Sequence, residues 1–104
     1  MLVSVVMSVL NSDEHLEKAI KSILDQTYKD FEFIIVDDGS KDKSISIIEK
    51  YAARDPRIVF IRNEKNLGLA TSLNKGIELA RGKYIARQDA DDLSAPNRLE
   101  VQVN

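Results

Sequence analysis

Asp89-Ala90-Asp91-Asp92 puts three carboxylates into four consecutive residues. Negative charges that close repel unless a cation joins them, and hard divalent cations choose oxygen ligands of this kind. The group directly follows Lys83-Tyr84-Ile85-Ala86-Arg87, a strand-like run, so the carboxylates would crowd one end of a sheet. A second acidic pair, Asp37-Asp38-Gly39-Ser40, follows another strand-like run, Phe33-Ile34-Ile35-Val36. Two acidic strand ends in one small chain point to a metal-dependent site for a phosphorylated ligand. Each pattern also has a plainer reading: Asp37 to Ser40 as a strand-to-helix turn with capping side chains, and 89–92 as a solvated acidic loop.

The elements able to hold these groups follow a repeating strand–helix rhythm. Leu2-Val3-Ser4-Val5-Val6-Met7 is apolar and β-branched, as a strand covered on both faces should be. Asn11 stands three residues before Glu14 at capping-box spacing, and Leu16, Ala19, Ile20, Ile23 and Leu24 then form one apolar helical stripe. Phe31 to Val36 is the second strand, after which Ser40 or Asp42 caps a helix carrying Ile45, Ile48 and Ala52. Arg57 to Arg62 is the third strand. Leu69, Leu73, Ile77 and Ala80 mark a third helix that Gly82 closes as a C-terminal glycine. The fourth strand comes at once, and 97–104 begins a further helix that ends without a cap, as in the front part of a longer protein.

Strands starting near positions 3, 31, 57 and 83 leave room for one crossover helix each. Right-handed crossovers then give an α/β, three-layer α/β/α Rossmann-like fold with a parallel sheet of about four strands in the order 3-2-1-4. Open sheets of this kind bind ligands outside the carboxyl ends of their strands, where strand order reverses. Asp38 and Asp91 would end strands two positions apart, about 10 Å at the usual inter-strand spacing, roughly the reach from a nucleobase to its diphosphate. The first-strand loop Ser8-Val9-Leu10-Asn11 holds no glycine, which excludes the G-x-G-x-x-G cradle, and no G-x-x-x-x-G-K-[ST] occurs. A bridging metal is the natural substitute for a glycine loop on the phosphates.

Bulk properties narrow the classes further. A chain of 104 residues makes one domain, 1–104, and its 43% hydrophobic and 31% charged residues fit an ordinary globular protein. The net charge of -2, with scattered lysines, gives no footprint for nucleic acid. The absence of cysteine removes thiolate chemistry and suits a cytoplasmic protein, at the inner face of a membrane if segments outside this chain supply an anchor. No run is long enough for a membrane span. His15, the sole histidine, belongs on the exposed side of a helix start.

Val3 to Asn11, Ser22-Ile23-Leu24-Asp25-Gln26-Thr27-Tyr28 and Val36-Asp37-Asp38-Gly39-Ser40 together resemble the family 2 glycosyltransferases. Asn66-Leu67-Gly68-Leu69-Ala70, Leu73-Asn74-Lys75-Gly76-Ile77, Ala86 to Asp92 and Pro96-Asn97-Arg98-Leu99-Glu100 continue the pattern in order across nearly the whole chain. The resemblance implies the GT-A fold and an inverting, hexosyltransferase-like enzyme of bacterial cell-surface polysaccharide synthesis. Its partners would be a UDP-linked nucleotide-sugar donor and a glycan or lipid-linked acceptor, and its cofactor Mn or Mg. It further implies that Ser8, Val9, Leu10 and Asn11 flank the uridine, that Asp38 accepts the uracil N3–H, and that Asn66, Gly68 and Asn74 border the nucleotide. Asp89 and Ala90 would lie on the ribose side and Asp91, with Asp89, at the metal. The family's general base lies downstream of Asn104. Ser8 and Leu10 stand where the family often has Pro and Tyr, and Leu73 where it often has Arg. Two rivals remain at this point: an Mg-dependent aspartyl phosphotransfer domain, receiver- or phosphatase-like, and a non-catalytic nucleotide-binding module.

Overall fold

The computed structural model describes residues 2–103, so Met1 and Asn104 lie outside the described residues. In chain order the elements are β1 (Val3–Val9), α1 (Leu16–Leu24), β2 (Phe31–Asp37), α2 (Ser44–Arg54), β3 (Ile58–Arg62), α3 (Leu69–Leu79), β4 (Tyr84–Arg87) and α4 (Arg98–Val103). The four strands form one parallel sheet in the order β3-β2-β1-β4. β1 and β2 are central and buried along their full length, which is why their sequences are apolar on both faces. The expected fold class and strand order are the ones observed.

Alternation sorts the side chains into two layers. Val3, Val5, Met7 and Val9 with Phe31, Phe33 and Ile35 face the main core, which Leu16, Ala19, Ile20 and Ile23 of α1, Ile48 of α2 and Leu99 of α4 complete. Burying each of these large side chains contributes about 1.5–3 kcal/mol. Val6, Ile34 and Val36 face the other way, against Leu73 of α3 and Ala80 just after it. There α3 turns Ser72 and Gly76 fully inward; a Cβ on Gly76 would lie 2.6 Å from Val6 Cγ1. The expected stripe Leu69-Leu73-Ile77-Ala80 is therefore rotated, and Leu69 and Ile77 stand exposed.

Two further expectations change. α1 starts at Leu16 with His15 at its cap, and Asn11 is a left-handed residue (φ 47°) bonded across to the next loop rather than a helix cap. α3 ends at Leu79, and Gly82 serves close approach: its N–H donates to Ser4 Oγ at 2.8 Å, and a Cβ there would lie 2.6 Å from Ser4 N.

Candidate functional site

A cleft of about 590 Å³ opens at the carboxyl ends of β1 and β4, the neighbouring strands between which the order reverses. One wall is the β1–α1 loop with Ser8, Leu10, Asn11, Ser12, Glu14 and His15; the other is the end of β4 with Arg87, Asp89, Ala90 and Asp91. Leu69, at the start of α3, lines it as well. Sequence reasoning missed Ser12, Glu14, His15 and Leu69, because a loop's direction over a sheet edge leaves no periodic signal.

The β1–α1 wall is stitched to the β2–α2 loop. Asn11 N–H donates to Ser40 Oγ at 2.9 Å, and Lys41 N–H donates back to Asn11 Oδ1 at 2.8 Å. Asp13 N–H donates to Asp42 Oδ2 at 3.1 Å, and Lys43 N–H to Asp13 Oδ2 at 3.2 Å. Asp42 also accepts from Ser44 N–H at 2.8 Å in a turn leading into α2, whose cap position is Lys43 rather than Asp42 or Ser40, and Ser40 serves the neighbouring loop. At the floor of the cleft Ser8 Oγ is buried and has no hydrogen-bond partner among the described residues. Buried hydroxyls are nearly always paired, so an unpaired one facing a cleft is a candidate ligand contact.

The two acidic strand ends differ sharply. Asp37 and Asp38 are fully buried. Asp37 Oδ2 accepts from the N–H groups of Gly39 (3.1 Å) and Ser40 (2.9 Å), the turn-and-cap role of the plainer reading, while Oδ1 has no partner among the described residues. Asp38 Oδ1 accepts from Leu67 N–H (2.7 Å) and Asn63 Nδ2 (3.2 Å), and Oδ2 from Gly68 N–H (3.0 Å). Burial pushes this carboxyl up, but the bonds from Leu67, Asn63, Ser72 and Gly68 outweigh it and hold it below the usual range. A uracil N3–H would reach it only with the 66–68 loop moved aside. Gly39, at φ 87°, lets that loop pass: a Cβ there would lie 3.1 Å from Asn66 N.

Of the expected nucleotide residues, Ser8, Leu10, Asn11, Asp89, Ala90 and Asp91 meet in the cleft. Val9 does not, because its side chain lies in the main core. Asn74 lies exposed in the second turn of α3 and outside the cleft wall. Asn66 is exposed and accepts from Gly68 N–H at 3.0 Å, and glycine at 68 answers a φ of 99°.

Asp91 is exposed on the cleft wall, and its carboxylate has no partner among the described residues. Asp89, its side chain 53% exposed, meets Arg87 Nε at 3.4 Å. Asp92 turns instead into a separate hollow with Leu93, Ser94 and Arg98, so two of this segment's three carboxylates face the cleft. No three His, Asp or Glu side chains converge among the described residues. The free Asp91 carboxylate and the Arg87-paired Asp89 beside it still fit Mg or Mn, which keep part of their shell for water and substrate phosphates. Arg98 bonds Gln88, Ser94 and the Arg87 carbonyl, and Glu100 accepts from Thr27 Oγ1.

β1 ends without a carboxylate, which leaves aspartyl phosphotransfer without its nucleophile at that strand end. The model of glycosyl transferase family 2 matches residues 4–104. An uncharacterised glycosyltransferase of Methanocaldococcus jannaschii is 53% identical over 97% of this chain, which spans 36% of that relative. The crystal structure of S. aureus TarS 1-349 with UDP superposes with a TM-score of 0.92 at 26% identity, over 99% of this chain and 31% of that one. TarS is also known with UDP-GlcNAc. The mannosyltransferase PcManGT of Pyrobaculum calidifontis, with GDP-Man and Mn2+, gives 0.89 at 26% identity over 97% of this chain and 31% of that one. The fold is the GT-A arrangement.

Proposed function

The chain belongs to glycosyl transferase family 2, and on that premise we propose that it forms the nucleotide-sugar-binding part of an inverting glycosyltransferase with a UDP-linked donor. The observation that carries this reading is the cleft itself, with the unpaired Ser8 hydroxyl on its floor and the unpaired Asp91 carboxylate on its wall. Ser8, Leu10 and Asn11 would receive the base and ribose, Asp38 would shape the base end through the Leu67 and Gly68 amides, and Asp89 would face the ribose. Asp91, with Asp89, would hold Mn or Mg. A divalent ion there neutralises the diphosphate and stabilises the charge on the departing nucleotide.

Transfer needs a general base to take the proton of the acceptor hydroxyl, and on the wall opposite Asp91 the lining carboxylate is Glu14, an 84% exposed side chain of the β1–α1 loop. That base, and recognition of a glycan or lipid-linked acceptor, would fall in the part of the longer relatives that this chain does not span, and the cysteine-free composition suits work in the cytoplasm at the membrane's inner face. Titration calorimetry of UDP with and without Mn2+, with GDP and CDP as controls, tests the donor site. UDP-selective, metal-dependent heat is expected. No heat with any nucleotide would overturn the reading, and GDP selectivity would move the donor to the guanine series.

A further inference from the structure

The loop carrying Asp89 and Asp91 is built around a buried glutamine. Gln88 is 3% exposed, and all four of its hydrogen-bonding positions are used. Its Nε2 donates to the carbonyls of Asp89 (3.1 Å) and Asp92 (2.7 Å), and its Oε1 accepts from Ser94 Oγ (2.6 Å) and Arg98 Nη1 (2.9 Å). Asp92 N–H also donates to the Asp89 carbonyl at 3.2 Å, so both ends of the acidic segment are gripped with only Ala90 and Asp91 between them. Arg98 backs the glutamine through Ser94 Oγ (3.0 Å) and the Arg87 carbonyl (2.7 Å). Three carboxylates on so short a segment repel one another and would open it in the absence of a cation. A neutral side chain that donates twice and accepts twice holds the segment without adding a fourth negative charge.

We propose that Gln88, backed by Arg98, is a positioning residue that keeps the Asp89–Asp92 segment in its ligand-ready shape before any cation arrives. This rests on the reading of Asp91 as a metal ligand. A second buried glutamine supplies the internal control: Gln26 donates to the carbonyls of Ser22 (3.0 Å) and Ala95 (2.7 Å) and accepts from Leu99 N–H (3.0 Å), bonding nothing in the 89–92 segment. Its loss should cost stability alone.

The test compares wild type, Gln88→Met, Gln26→Met and the milder Ser94→Ala in two measurements. One is Mn2+ uptake in the presence of UDP, read from the loss of the free-ion paramagnetic resonance signal; the other is amide exchange at Asp92 without metal. Gln88→Met should weaken Mn2+ binding about 10- to 100-fold, the usual effect of removing a group that orients a ligand, and speed Asp92 exchange. Ser94→Ala should do both to a smaller extent, and Gln26→Met neither. Unchanged affinity and exchange in Gln88→Met, or equal losses in Gln26→Met, would overturn the role of Gln88. Absence of Mn2+ uptake by the wild type would overturn the metal reading and this proposal with it, a result distinct from a failure of Gln88 alone.

Discussion

The sheet presents two acidic strand ends at one edge, and the two do opposite work. At the end of β2 the carboxylates are sealed, and all their oxygens but Asp37 Oδ1 accept from backbone amides; at the end of β4 they stand in the open, with Asp91 unpaired. The difference is the position of the strand. β2 is central, so its loop is covered by the β1–α1 and 63–68 loops, whereas β4 is a short edge strand whose following loop is covered on one side only. A buried carboxylate is tolerable only with donors around it, and an exposed one keeps its lone pairs for a ligand.

The contrast predicts mutant behaviour, beginning with the strongest effect. Asp38→Ala strands two amide donors and Asn63 in a dry environment and should lower unfolding free energy by about 3 kcal/mol, read as a shifted urea midpoint at unchanged slope. An unaltered midpoint would mean that the buried end is not structural. Asp91→Ala should leave that midpoint within about 0.5 kcal/mol of wild type while abolishing the Mn2+ enhancement of UDP binding in calorimetry. Equal behaviour of the two variants would dissolve the comparison.

Acid titration sharpens it further. The Asp38 carboxyl sits below its ordinary range when folded, so the unfolded chain binds more protons as pH falls; its stabilisation is full above about pH 4 and lost below. Glu32 behaves alike: burial raises its pKa, but bonds from Ser4 and Arg81 lower it more. Unfolding free energy should thus decline on acidification in the wild type, and less steeply in Asp38→Asn. The smallest effect is expected at Ser8. Removing its partnerless hydroxyl in Ser8→Ala should leave stability nearly unchanged and weaken UDP binding about three- to tenfold, the scale of one neutral hydrogen bond.

The strand–helix rhythm, the strand order and the location of the cleft were all legible from residue types, because burial on both faces of β1 and β2 enforces continuous apolar runs. What escaped was set by contacts between distant segments. Whether Asp38 faces solvent depends on Leu67 and Gly68, and whether Asn11 caps a helix depends on Ser40 and Lys41. The rotation of α3 follows from Gly76 against Val6. The resemblance implied Val9 and Asn74 at the nucleotide, yet alternation along β1 turns the Val9 side chain into the main core, and Asn74 stands outside the cleft wall.

The pairing of β1 with β4 has a consequence in time. Val3 meets Tyr84 and Val6 meets Arg87, the longest chain closure among the strand pairs, while β1 and β2 join far more locally. Closing the longer loop costs more entropy and is rewarded only by a four-residue ladder. During synthesis the central strands and α1 can consolidate while residues 84–87 are still being made, so the binding edge matures last. A chain interrupted before Arg87 would lack Leu99 of the main core together with the β4 wall of the cleft.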